Sequence, residues 1–213
     1  MTVMVVAGIV LTGVGLVATL VAERAHRRTL VYIAKTAASV GFLLVAFGSG
    51  APDGGYGTWI LIGLVLSLVG DVALMLPGRV WFLAGLVSFL LAHVAYVGAF
   101  LVDGVSVAWA VAAGAAAVVV AAVVLRWLLP HVEDDMKVPV LGYVVVISVM
   151  VSLAVGTLGE GLTALIVTGA VLFYLSDLFV ARDRFVSPGF VNALAGLPLY
   201  YLAQVLLALS TGA

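Results

Sequence analysis

Apolar residues fill eight long stretches of this chain, at about 3–21, 30–48, 57–76, 81–101, 105–128, 138–156, 162–181 and 190–210. Each is close to the roughly 20 residues that a helix needs to cross a bilayer. Within them the apolar character is continuous, unlike the strict alternation of a membrane β-strand. Because a spanning segment must satisfy its backbone polar groups internally, the pattern predicts an all-α fold: a polytopic membrane bundle of eight transmembrane helices, with residues 1–213 forming one membrane domain. The longest expected connection, Pro130 to Lys137, is too short to hold an extramembrane domain, so any chemistry belongs inside the bundle.

Composition agrees: 65% of residues are hydrophobic and only 9% charged, which excludes an ordinary water-soluble domain. There is no cysteine, so disulfides, thiolate catalysis and thiolate metal sites are excluded, and a net charge of -1 gives no reason to expect nucleic acid as a partner. No HExxH or multi-histidine motif occurs, so a metal would have to bind through carboxylates; neither a metal nor a cofactor is expected. The first run has no basic residue before it and Arg24, Arg27 and Arg28 after it, and is expected to stay as a span.

The basic residues set an orientation. Arg24, Arg27 and Arg28, then Arg79, then Arg126 and Lys137, then Arg182 and Arg184 occupy alternate connections on one side, while the opposite connections carry none. By the positive-inside rule both termini face away from the cytosol. Scarce Lys relative to Arg, with abundant Ala, Val and Gly, points to a GC-rich bacterial genome and so to the inner membrane.

Two aspartates stand out against this background. Asp71 and Asp177 lie inside the third and seventh runs, near the end that meets a basic connection, and ionisable groups inside a membrane are expensive enough to imply use. With Lys35, near the start of the second run, they are expected to share one layer, roughly 6–8 Å inside the cytosolic boundary. Their offset is half the chain length, and Gly70-Asp71 with Arg79 and Phe82 parallels Ser176-Asp177 with Arg184 and Phe185. That suggests a 4+4 parallel internal repeat, which would place the two aspartate helices across the bundle axis from each other.

Other polar residues recur at helical spacing. Asn192, Gly196, Tyr200 and Gln204 mark one face of the eighth run; Gly85, Phe89, His93 and Tyr96 mark one face of the fourth. Gly63, Ser67, Gly85 and Gly196 read as packing positions, since small residues are the usual helix interface in lipid. His26, His131, Glu133, Asp134 and Asp135 read as a solvated face. For the aspartates three readings stand beside one another: an acid–base pair, an ion pair of Asp71 with Lys35, and relay sites of a proton- or ion-coupled transporter. An intramembrane aspartyl protease fits less well, because Leu68 stands where its pattern needs glycine.

Taken in order, several short motifs resemble the YhhN/TMEM86 family of membrane lysoplasmalogenases. They are Gly70-Asp71-Val72-Ala73-Leu74-Met75 with Phe82, Gly85, Leu86, Phe89, His93 and Tyr96; Tyr143 with Met150; Gly169-Ala170, Phe173, Ser176-Asp177 and Arg184-Phe185; and Leu197-Pro198-Leu199-Tyr200-Tyr201 with Gln204. Family members usually carry Lys-Pro in the second span, whereas Lys35 is followed by Thr36. The resemblance implies eight helices and hydrolysis of the vinyl ether bond of a lysophospholipid, lysoplasmalogen, to a fatty aldehyde and a glycerophospho-alcohol. Asp71 and Asp177 match the family's pattern and are the expected catalytic pair; His93, Tyr96, Tyr143, Tyr200 and Gln204 fall among the matching residues and, with Lys35 and Asn192, which stand outside them, are the expected substrate-binding residues. An enol ether opens by protonation at carbon, and water then captures the oxocarbenium ion. Two carboxylates in different protonation states can serve both steps, as they do in glycosidases.

The lack of native cysteine makes the expected topology testable. A single cysteine at Ser49 should react with an impermeant thiol reagent from outside sealed cells, and one at Asp134 only from within. Labelling of Asp134→Cys from outside would overturn the orientation.

Overall fold

The computed structural model describes residues 2–160 and 164–212. Among them are eight long helices: α1 (Val3–Arg24), α2 (Arg28–Gly48), α3 (Gly55–Met75), α4 (Arg79–Asp103), α5 (Val107–Leu128), α6 (Asp134–Thr157), α7 (Ala164–Ala181) and α8 (Phe190–Leu209). All are long and apolar enough to span a membrane. The start of the seventh expected run, 162–163, lies outside the described residues.

Two boundaries differ from the expected ones for physical reasons. α6 begins at Asp134 rather than at 138, because Asp134 and Asp135 suit the positive end of a helix dipole and Lys137 closes on Asp134 at 2.6 Å, one turn along. α7 does not stop at Ala181 but continues through a π-helical turn, Arg182–Val186, which carries the seventh span to Val186. The α3–α4 connection is only Leu76, Pro77 and Gly78. Proline disfavours helix at the residue before it, and Gly78 supplies the φ of +105° that turns the chain into α4.

Sequential helices pair as α1–α2, α3–α4, α5–α6 and α7–α8; α4 also packs on α6, and α8 on α2, α1, α3 and α7. The surface inverts the soluble pattern. Val14, Val17 and Val21 of α1 and Val111, Val118 and Val123 of α5 face outward, while Ser39, Ser67, Asp71, His93, Asn192 and Gln204 are buried. That arrangement is stable only where the outside is hydrocarbon. The centre is aromatic: Phe42, Phe89, Tyr96, Phe173, Tyr200 and Tyr201 join one buried cluster.

Close approach of α3 and α4 comes from alternating small and large residues. Gly70 lies under the Phe89 ring, where an added Cβ would sit 2.7 Å from Cε2, and Gly85 lies under Leu74, 2.6 Å from Cδ2. Gly63 meets the ring of Tyr96 in the same way. The packing expectation for these glycines therefore agrees with their surroundings. Gly63→Ala should lower stability by about 1–3 kcal/mol through overpacking, although alanine is intrinsically the better helix former. Gly13→Ala, with nothing within 4 Å of its Cβ, should be neutral or stabilising. Thermal unfolding in detergent checks both; equal midpoints for the two variants would refute the close-packing argument.

Candidate active site

A cavity of about 1040 Å³ opens among the ends of the helices that carry the basic connections. Asp71 and Asp177 both line it, as do Lys35, Tyr143, Asn192 and Tyr200. Its remaining walls are largely apolar, with Leu74, Phe82, Leu86, Phe89, Val144 and Ile147 among them.

The two carboxylates have unlike surroundings. Asp71, one turn before the end of α3, is nearly sealed, with its side chain 3% exposed. Its Oδ1 lies 3.2 Å from Lys35 Nζ of α2. Its Oδ2 accepts from the Ser39 hydroxyl of α2 at 2.7 Å and from the Tyr200 hydroxyl of α8 at 2.6 Å. The ion pair weighed from the sequence is thus present, and it carries hydroxyl donors that satisfy the remaining lone pairs. Such completion is what a buried ion pair needs to persist in a low dielectric. The hydroxyls of Ser39 and Tyr201 also reach the backbone carbonyl of Lys35, at 3.0 and 3.1 Å, which fixes the helix turn bearing the ammonium.

Asp177 has no lysine or arginine beside it among the described residues. Its Oδ2 accepts from the Tyr143 hydroxyl of α6 at 2.7 Å, and His93 Nε2 of α4 stands 3.7 Å away, beyond hydrogen-bond length. His93 Nδ1 is 2.6 Å from the Phe89 carbonyl oxygen. A carbonyl can only accept, so Nδ1 holds the hydrogen, and Nε2 is left buried without a partner and aimed at the carboxylate. The Asp177 side chain is 16% exposed, and Oδ1 makes no hydrogen bond among the described residues. The π-helical turn carries the helical segment beyond Asp177 to Val186.

A chain of aromatic contacts joins the two acids. The Tyr200 ring lies 5.6 Å from Phe173, and Phe173 lies 4.4 Å from the His93 ring. Tyr143 meets His93 edge-on at 5.4 Å. Helix α8, packed against both α3 and α7, supplies the Tyr200 link.

The other expected binding residues divide. Asn192 lines the cavity, but its amide is engaged with the α7–α8 connection: it accepts from Arg182 at 2.6 Å and donates to Asp183 at 2.8 Å and to the Ser187 carbonyl at 2.8 Å. Tyr96 and Gln204 do not line the cavity. They form a buried chain in which Tyr96 donates to Gln204 at 2.7 Å and Gln204 donates to Ser67 at 3.2 Å, tying α4 to α8 and α3. Ser39 and Tyr201 were missed as site residues. Ser39 is one helical turn beyond Lys35 and Tyr201 is next to Tyr200, but neither spacing alone distinguishes a site hydroxyl from a packing one. Among the described residues no three histidine or acidic side chains converge as a metal site requires.

A model of the YhhN family matches residues 30–211, which include all of these groups. The chain belongs to the YhhN family. Its relatives include a lysoplasmalogenase of Mycobacterium bovis, 37% identical over 154 residues covering 70% of this chain and 58% of the relative. Human lysoplasmalogenase TMEM86B is 35% identical over 174 residues, covering 80% of this chain and 69% of that protein. Bovine lysoplasmalogenase TMEM86A is 30% identical over 159 residues, covering 72% and 65%. The chain thus aligns with little more than half the length of the mycobacterial relatives. No solved structure matches this YhhN protein.

The Asp71 node makes a stability prediction. Lys35→Met leaves a buried carboxylate without its counter-charge and should cost about 3–5 kcal/mol, whereas Lys35→Met with Asp71→Asn should recover much of that loss. Thermal unfolding of the four proteins of the double-mutant cycle measures the coupling. Additive effects would show that the pair does not act as a unit.

Proposed function

We propose that this chain is a membrane hydrolase of the lysoplasmalogenase type, which adds water across the vinyl ether bond of a lysoplasmalogen and releases a fatty aldehyde and a glycerophospho-alcohol. One observation carries the proposal: two carboxylates with unlike surroundings line a single, largely apolar cavity inside the membrane. The names of the relatives point the same way. The cavity volume suits one acyl-type chain with its glycerol end, lying at the upper limit of common ligand pockets.

The surroundings of the two acids support a division of roles between them. Asp71, with an ammonium on one oxygen and two hydroxyl donors on the other, is the anion; it stabilises the oxocarbenium ion and takes a proton from the attacking water. Asp177, with no lysine or arginine beside it among the described residues and one oxygen free of hydrogen bonds, is the proton donor to the β-carbon of the enol ether. Proton delivery from Asp177 breaks the carbon–carbon π bond, water forms the new carbon–oxygen bond as Asp71 takes its proton, and the hemiacetal then collapses, its hydroxyl proton returning to Asp177 while the proton on Asp71 passes to the departing glycerol oxygen. The balance is one enol ether and one water to one aldehyde and one alcohol, with no further reactant.

Asp71→Asn and Asp177→Asn keep side-chain size but remove the proton chemistry, so each should lower aldehyde release by roughly 10²–10⁴-fold. Hydrolysis in heavy water should put deuterium on the carbon next to the aldehyde carbonyl, with exchange of the free aldehyde measured separately. Full activity in both variants, or an unlabelled aldehyde, would overturn the mechanism. The transporter reading is tested by the same protein in liposomes: aldehyde release without an ion gradient supports the hydrolase, and gradient-driven flux without aldehyde supports the carrier.

A further inference from the structure

The open end of the cavity is walled by charged groups that the acid–base chemistry does not use. Glu23 comes from the end of α1, His26 and Arg27 from the α1–α2 connection, Arg28 from the start of α2, and Asp183 and Arg184 from the π-helical turn after α7. Positive charge on this side of the chain serves topology, so what matters is which cations line the cavity. Away from the mouth, Arg79 pairs with Glu133 and Asp135 and Lys137 with Asp134, while Arg126 has no carboxylate within 4.0 Å among the described residues. At the mouth, Arg27, Arg28 and Arg184 have no carboxylate within 4.0 Å among the described residues. Arg184 is held instead by the face of Phe82, with its guanidinium carbon 4.3 Å from the ring centroid.

The backbone at this mouth is also unusual. α1 closes with the Arg27 N–H donating to the Ala22 carbonyl at 2.9 Å and the His26 N–H to the Glu23 carbonyl at 3.0 Å, the pattern of a left-handed helix cap. The capping position is ordinarily glycine, but here it is His26 at φ +54°, the one non-glycine residue with positive φ among those described. His26, in this left-handed position, lines the cavity.

We propose that this mouth binds the phosphodiester headgroup of a lysophospholipid, with the phosphate on Arg27, Arg28 and Arg184 and the headgroup amine turned toward Glu23 and Asp183. The proposal deepens the hydrolase reading and rests on it for the identity of the lipid. Guanidinium groups suit a phosphate because their paired N–H donors match its oxygens. Length supports the match. Arg28 precedes Lys35 by about two helical turns, roughly 10 Å. In an alkenyl glycerophospholipid, seven bonds separate phosphorus from the carbon to be protonated, roughly 8 Å at the reach of an extended chain. A phosphate held at Arg28 therefore leaves the vinyl ether at the level of the Lys35–Asp71 pair.

The test is binding without turnover. Purified full-length protein in detergent is titrated with a 1-O-alkyl lysophosphatidylethanolamine, a saturated ether that cannot be hydrolysed by this route, and with the 1-O-alkylglycerol of the same chain. The lysophospholipid should bind at least tenfold more tightly. Arg28→Gln should weaken it ten- to a hundredfold and leave alkylglycerol binding unchanged, with Arg79→Gln as a control that alters neither. Arg28→Lys keeps the loop charge and hence the topology, and should fall between Arg28→Gln and the parent. Equal affinity for the two ligands, or no loss in Arg28→Gln and in an Arg27→Gln/Arg184→Gln variant, would overturn the proposal. So would inorganic phosphate binding as tightly as the ether lipid, which would assign the site to a free anion. Headgroup-dependent binding without any aldehyde release from lysoplasmalogen would refute the hydrolase reading while upholding the headgroup site.

Discussion

A carboxylate enclosed by helices in hydrocarbon has to be answered by charge and by hydrogen-bond donors, and Asp71 draws its answer from two other helices. Lys35 and Ser39 come from α2 and Tyr200 from α8, so one anion joins α2, α3 and α8 around a common point. Apolar packing between helices in lipid has little directional preference, because lipid chains are as apolar as the helices themselves. A buried ion pair completed by hydroxyls is directional, and it specifies which faces of these three helices meet. The close glycine–aromatic contacts of α3 on α4 then extend the same register to the fourth helix.

The second acid is built on the opposite principle. Asp177 is bordered by Tyr143 and by a histidine whose free nitrogen faces it without closing a hydrogen bond. The first acid is fully engaged and the second retains an uncommitted oxygen. Two carboxylates in one cavity thus have unlike environments, the condition under which the proposed division between proton donor and charge stabiliser can operate. The aromatic contacts from Tyr200 through Phe173 to His93 link the two sites through the buried core, and of these rings Tyr200 lines the cavity.

Charge is graded along the cavity. Unpaired guanidinium groups stand at its mouth, a lysine–aspartate pair lies two turns deeper, and apolar side chains line the remaining walls. A single-chain phospholipid has the same order of chemistry along its length: an anionic headgroup, a polar linkage and a hydrocarbon tail. A site at the end of the bundle rather than its midplane lets the headgroup remain at the water interface while the reacting bond is desolvated.

The sequence by itself determined the number of helices and the all-α class, because continuous apolar runs of this length admit few other readings. It also raised the Lys35–Asp71 pair as an alternative, since opposite charges at matched depth tend to find each other. What only the tertiary structure decided was which polar side chains meet. Tyr96 and Gln204 share the helical spacing of His93 and Tyr200, yet they join each other and Ser67 away from the cavity, because their outcome depends on how helices distant in sequence are rotated. The continuation of α7 into a π-helical turn across Arg182–Val186 was likewise hidden from the sequence, because charged residues mask the end of the helical segment. Periodicity fixes the face a residue occupies on its own helix. The neighbour opposite that face is fixed only when all eight helices pack.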